Sequence, residues 1–322
     1  SWTGTFSSGE NPFTFLMTRP VSLQANFSNC DTTAPSLHAL YPGPAGSNIP
    51  YNAPLYIRIV DPLPSTGLEL EGVTALLNGD TLVSGGVTRP GVAIRAGASN
   101  QYLAIISREH TFSANTSNVV SIKARDLSGA TPPLDSVLSV TAGSLNLIND
   151  KEVSLAPEGG TLTGFNDDIE CTVPAGMLEY EQAFFFGEIS NPPQPPDSAS
   201  LLGNIYYFGP DSYIFTDSVT IALRYNENIR RDAGAAHPLE IPVYRYSTRH
   251  GFWEQLKPFR ATNMKLYAKT AATGLFCFGT KNITAVDAPE TSGAPSGFSL
   301  SQNFPNPFNG ETRITFTLPE AG

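Results

Sequence analysis

The sequence predicts an all-β chain of tandem β-sandwich modules, with partial β modules at both termini. Three observations carry this. Apolar and polar residues alternate over short runs: Leu55, Ile57 and Ile59 sit between Tyr56, Arg58 and Val60, and Val219, Ile221 and Leu223 between Thr220, Ala222 and Arg224. A period of two puts alternate side chains on opposite faces of a strand. Gly and Pro make up 55 of 322 residues, well above the ~12% of an average chain, and they punctuate those runs where turns are needed. Only residues 226–236 read as a short helix, with Arg230-Arg231 on its polar face.

Length alone suggests two or three domains. Apolar residues reach 40%, enough to build cores and too many for wholesale disorder. The net charge of −10 argues against nucleic acid as a partner, since a phosphate backbone is held by clustered Lys and Arg. No run approaches the ~18 apolar residues of a membrane-spanning helix. Ser1-Trp2-Thr3-Gly4 reads as the middle of a domain, so the expectation is an excerpt from a longer protein.

Residues 1–29 hold two alternating runs, Phe13, Phe15 and Met17, then Val21, Leu23, Ala25 and Phe27, with a turn at Thr18-Arg19-Pro20. A lone hairpin needs a neighbour to pack on. Trp2-x-Gly4, Gly9-Glu10-Asn11-Pro12, Met17 and the run from Val21 to Phe27 resemble the C-terminal half of an InlB-type B-repeat, a small β module of bacterial surface proteins.

Residues 30–145 carry strands at sandwich spacing. Asn78-Gly79 is a strong two-residue hairpin signal. Val120, Ile122 and Ala124 form another alternating face, ending at Asp126. The opening Asp31-Thr32-Thr33-Ala34-Pro35 and the late Ala124-Arg125-Asp126-Leu127-Ser128-Gly129 resemble Ig-like modules of bacterial exoproteins, without the antibody-type Cys and Trp core.

Residues 146–285 read as a second sandwich. Ile169, Cys171 and Val173 alternate, Ala183 to Phe186 is a buried run, and further strands pass through Leu239-Ile241-Val243, Phe252-Trp253, Met264-Leu266-Ala268 and Leu275 to Phe278. The proline-rich loop 191–196 must be exposed. Val173-Pro174-Ala175-Gly176-Met177-Leu178, Phe215 to Ile221, and Gly251-Phe252-Trp253-Glu254-Gln255-Leu256 resemble motifs of the ZU-type sandwich of ankyrins and netrin receptors. That resemblance implies an interaction or spacer role without chemistry.

Residues 286–297 are a small, polar, Pro/Gly-rich linker. In 298–322, Asn303, Phe304, Pro305, Asn306, Pro307, Phe308 and Asn309 resemble the opening of the Ig-like sorting domains of type IX secretion, with Gly310 where that family has Pro. The resemblance implies export to the outer surface of a bacterium, with the type IX machinery as partner. Arg313, Ile314, Phe316 and Leu318 mark an alternating strand, expected to pair with another domain or another copy.

No nucleophile elbow, zinc-protease helix, phosphate loop or EF-hand occurs. His38, His110, His237 and His250 stand apart and read as surface or loop residues. Glu69 with Glu71, and Asp167-Asp168 with Glu170, read as solvated acids, without the opposed placement that glycoside hydrolysis needs. Asp31, Asp61 and Asp126 each stand at a strand end of the Ig-like module. They are candidate calcium ligands, and turn chemistry accounts for them equally well. Tyr41, Tyr51, Tyr56, Tyr206-Tyr207 and Trp253 are candidates for stacking on a sugar, against core packing, with Trp253 read as core. Cys30, Cys171 and Cys277 are too few for a disulfide framework. Cys171 and Cys277 are candidates for one bridge across a sandwich, or two buried thiols.

The expectation is therefore a non-enzymatic structural or adhesive protein, secreted or held at the cell surface, with fibre formation by strand pairing between copies as a narrower version. The alternatives are the accessory tail of a secreted peptidase or glycoside hydrolase, and a module that binds surface glycans. No cofactor is expected beyond the calcium candidates.

Overall fold

The structure, a computed structural model, describes residues 2–5, 14, 16, 18, 20–25, 31–44, 48–128, 133–195, 199–211 and 213–280, and gives the backbone of 299–300, 304–309, 311–313 and 316–317. Strands β1 (Trp2–Gly4) and β2 (Leu23–Ala25) form an antiparallel ribbon with Trp2 opposite Ala25. Phe13, Phe15, Met17, Phe27 and Cys30 lie outside the described residues. Leu16 is exposed and outside any strand.

The first sandwich contains β3 (Ser36–Tyr41), β4 (Leu55–Val60), β5 (Leu68–Leu77), β6 (Asp80–Ser84), β7 (Val87–Thr88), β8 (Val92–Ala96), β9 (Tyr102–Ser107), β10 (Ser117–Asp126) and β11 (Leu134–Thr141). One sheet runs β3-β4-β9-β8 and the other β11-β10-β5-β6-β7. Read along each sheet, these are the immunoglobulin orders A-B-E-D and G-F-C-C′-C″, so the Ig-like expectation holds at the level of topology. Leu55, Ile57 and Ile59 meet Val120, Ile122 and Ala124 in its core. The β5–β6 hairpin turns on Asn78 and Gly79, with φ of 53° and 87°. Both are positive, as a tight hairpin matched to strand twist requires.

The second sandwich is built from β12 (Leu147–Leu155), β13 (Gly160–Gly164), β14 (Ile169–Val173), β15 (Gln182–Ile189), β16 (Leu201–Gly209), β17 (Ile214–Arg224), helix α1 (Glu227–Asp232), β18 (Val243–Ser247), β19 (Phe252–Leu256), β20 (Pro258–Thr262), β21 (Lys265–Ala272) and β22 (Gly274–Gly279). A sheet ordered β12-β15-β16-β22-β18-β19 faces one ordered β13-β14-β17-β21-β20, and an aromatic core fills the space between them. Phe184, Phe186 and Phe208 stack with centroids 5.0–5.4 Å apart. The Asn226 side chain caps α1 by accepting from the Ile229 amide. Arg230 closes its other end by donating to the carbonyls of Ala235 and Ala236.

Three expectations change here. The strand expected from Leu239 starts at Val243, because Pro238–Glu240 forms a 3-10 turn that leaves Leu239 exposed. Cys171 and Cys277 are unbridged. Cys171 joins the core of its sandwich. Cys277 alternates with the core residues Phe276 and Phe278 and lies outside that core, on the opposite face of β22. Trp253 is half-buried on β19, outside the core, against Tyr244 and Tyr246, with its indole N–H donating to the Gln194 carbonyl at 2.7 Å.

In the C-terminal segment, β23 (Ser299–Leu300) pairs with β26 (Phe316–Thr317), and β24 (Phe304–Asn309) with β25 (Glu311–Arg313). Arg313 stands opposite Phe304, and Phe316 opposite Leu300. Both described pairings lie inside the segment. Asn303, Gly310, Ile314, Leu318 and the 286–297 linker lie outside the described residues.

The aromatic core is the element most sensitive to truncation. Phe208→Ala is expected to cost about 3–5 kcal/mol, the usual cost of emptying a buried Phe site, read as a lower denaturant midpoint with an unchanged slope.

Candidate functional site

Two places in the described residues depart from what a sandwich needs to stand alone. The first is the junction of the two sandwiches. A strand with one core beneath it buries alternate residues, yet all six residues of β4 are buried. Leu55, Ile57 and Ile59 serve its own core, so Tyr56, Arg58 and Val60 are covered from outside. On the other sandwich Phe184 and Phe186 of β15 serve the core, while Ala183, Phe185 and, on β16, Tyr207 are buried on the opposite face. These outer faces meet: Tyr56, Ala104 and Ile106 line a narrow gap with Glu181 and Ala183. The four-stranded sheet thus packs on the six-stranded sheet.

Arg58 sits at the centre of this junction and is 5% exposed. Its guanidinium lies 5.1–5.6 Å from the ring centres of Tyr56, Tyr102 and Tyr180 and donates to the backbone carbonyl of Glu181. Among the described residues it makes no ion pair. Arg is the cation suited to this, being weakly hydrated, planar and able to stack on rings. Polar contacts rim the junction. Arg95 pairs with Glu152, Arg108 pairs with Asp150 at 2.7 Å, and the Asn52 amide exchanges two hydrogen bonds with the Leu147 backbone at 2.7 and 2.8 Å. Burial here pushes the Tyr56 phenol well above its ordinary pKa.

The second place is an acid cluster at one end of the first sandwich. Asp31 lies in the lead-in to β3, Asp61 directly follows β4, and Asp126 ends β10. They are 3%, 1% and 4% exposed, and one oxygen from each lies within 4.8 Å of the others. The surrounding loops aim donors at them. Asp31 accepts from the Thr66 amide and hydroxyl at 2.9 and 2.7 Å and from the Thr33 amide at 3.1 Å. Asp61 Oδ2 accepts from Ser65 Oγ at 2.6 Å and the Gly67 amide at 2.8 Å. Asp126 Oδ1 accepts from the Ser128 hydroxyl and amide at 2.7 and 3.0 Å. Asp61 Oδ1 is buried and has no hydrogen-bond partner. Gly67 has φ +91°, and a Cβ there would stand 2.3 Å from the Ser99 carbonyl oxygen, so only glycine brings its amide to Asp61.

The electrostatics of this cluster are unfavourable by themselves. Two unit charges ~4 Å apart interact by about 4 kcal/mol at an effective dielectric of ~20. The Thr66 hydroxyl, aided by the Thr66 and Thr33 amides and opposed by burial, holds the Asp31 carboxyl below its ordinary pKa, so protonation of Asp31 does not relieve the repulsion at neutral pH.

The other candidates disperse. Glu69 pairs with Arg125 at 3.0 Å, Asp168 with Arg224 at 3.0 Å, and Glu170 with Lys265. Tyr56 and Tyr207 are fully buried, which removes them as sugar platforms, and among the described residues the exposed rings are Phe252 and Phe259. A pocket of about 260 Å³ beside Phe252 is lined by Arg245, Ser247, His250 and Glu254. The junction role of Arg58 was missed, although a lone Arg inside the run Leu55 to Val60 is a visible anomaly. Thr66, Ser65 and Ser128 were missed because their role depends on loop geometry.

His110 lies in a loop, as expected, but is buried there. It is 6% exposed, with Nδ1 3.0 Å from Ser107 Oγ and its ring edge-on to Phe112. Burial, with a smaller contribution from Arg89, pulls its pKa down to about 4. A depressed imidazole pKa means that the unfolded chain binds more protons between pH ~6.5 and ~4. The neutral-His contribution is whole above pH ~6.5 and is lost as pH falls to ~4, about 3 kcal/mol in all. Urea unfolding of His110→Gln and of the unsubstituted chain across this window should converge as pH falls; parallel curves would contradict the assignment.

No protein-family model matches the sequence, and no curated protein matches it significantly. No helix among the described residues is long and apolar enough to cross a membrane.

Proposed function

We propose that the protein is a non-catalytic structural protein of a bacterial surface, in which two coupled sandwiches form a stiff spacer or adhesive platform and residues 298–322 carry an export address. The observation that supports the mechanical half of this reading is the burial of β4 on both faces. A chain of independent beads on linkers leaves outer sheet faces wet, whereas these faces are dehydrated against each other, and a large apolar contact opposes relative motion of domains. The Asn303 to Asn309 motif supports the export half.

The mechanical half is tested at Arg58. Arg58→Ala should open a void between Tyr56, Tyr102 and Tyr180, leave the Glu181 carbonyl without its donor, and cost about 2–4 kcal/mol. Calorimetry is expected to show one transition for the unsubstituted pair of sandwiches and two for the variant; two transitions in both would remove the case for a stiff spacer. For the export half, deletion of 298–322 from the gene in its native bacterium should keep the protein inside the cell, scored by protease shaving of intact cells. Undiminished surface display of the deletion would refute the address.

A further inference from the structure

We infer that Asp31, Asp61 and Asp126 form a divalent-cation site of calcium type, which staples the lead-in segment at 31–35 to the two sheets of the first sandwich. Calcium takes oxygen ligands at 2.3–2.6 Å. Two oxygens on one such ion are therefore at most about 5.2 Å apart, and the carboxylate oxygens here lie within 4.8 Å of one another. Magnesium, at ~2.0–2.1 Å, holds its ligands closer and keeps several waters, which suits a buried three-carboxylate site less well. The donor set is all oxygen, without the His or Cys that zinc selects.

A second observation stands apart from the clustering. Asp61 is 1% exposed, its Oδ2 is taken by Ser65 and Gly67, and its Oδ1 meets no donor. A buried carboxylate oxygen without a donor is costly, and a cation is the ligand that satisfies it while cancelling the repulsion of its neighbours. Turn chemistry explains the hydrogen bonds to Ser65, Thr66 and Ser128. It does not explain why three buried carboxylates converge.

The position gives the ion a task. Asp61 follows β4 of one sheet, Asp126 ends β10 of the other, and Asp31 belongs to the lead-in that precedes β3. An ion shared by the three would bridge both sheets and hold the lead-in against them. This inference does not rest on the surface role proposed above.

The test uses the full chain, stripped with EDTA and titrated with CaCl2 or MgCl2 by calorimetry and urea unfolding. The expected result is one calcium site, with Kd in the 10⁻⁴–10⁻³ M range of extracellular modules. At 10 mM CaCl2 that corresponds to a ~10–100-fold gain in the folding equilibrium, with a smaller response to MgCl2. Asp61→Asn should abolish the calcium response yet, in EDTA, be at least as stable as the unsubstituted chain, because repulsion is relieved. Asp80→Asn, at an exposed acid that opens β6, should respond like the unsubstituted chain. Hydrogen exchange at the Thr33 and Thr66 amides should slow at least tenfold with calcium if the lead-in is stapled. No calcium binding by the unsubstituted chain at 10 mM overturns the site. An equal calcium response in Asp61→Asn places any ion elsewhere and overturns it too, and binding without slowed exchange overturns the staple.

Discussion

The packing of the four-stranded sheet on the six-stranded sheet is the constraint on which the rest of this structure depends. Each sandwich has its own core, and sandwiches of this size normally present outer faces to water. Here β4 and β15 are each dehydrated on both sides. The arrangement is a stack of four sheets, not two beads on a string. That stack explains otherwise odd features: an aromatic-rich outer face on β15 and β16, a loop that offers the Glu181 carbonyl to Arg58, and an Asn52 side chain that mimics a strand partner for Leu147.

Arg58 illustrates how such a junction holds a charge. A buried carboxylate partner would carry its own desolvation cost. Three tyrosine faces supply electrostatic attraction without a second buried ion, and one carbonyl supplies a directed hydrogen bond. The acid cluster at the end of the first sandwich is the opposite case, three buried carboxylates that converge and accept from hydroxyl and amide donors. The first meets its charge with ring faces and leaves Arg58 Nε without an acceptor; the second leaves Asp61 Oδ1 without a donor.

The fold class was legible because strand periodicity is local. Leu55, Ile57 and Ile59, or Val219, Ile221 and Leu223, declare a face from three residues, and Asn78-Gly79 declares a hairpin from two. The three aspartates were legible as candidates for the same reason, since each stands at a strand end. Where local signals compete, strand period alone does not decide the backbone. Leu239 and Ile241 keep the strand period, but Pro238 draws Leu239 into a 3-10 turn that ends at Glu240. His110 does lie in a loop, and its burial follows from what packs over that loop.

By itself the sequence determined which residues form strands, where the chain turns and which acids stand at the turns, because these depend on backbone preferences and on neighbours a few positions away. Only the tertiary structure decided that two sandwiches share a dehydrated face, that Arg58 is encircled by tyrosines, that Cys171 and Cys277 point apart, and that Asp31, Asp61 and Asp126 meet. Each of those depends on how strands remote in sequence are brought together in space. The contact free energy belongs to the pair of surfaces and is written in neither strand alone.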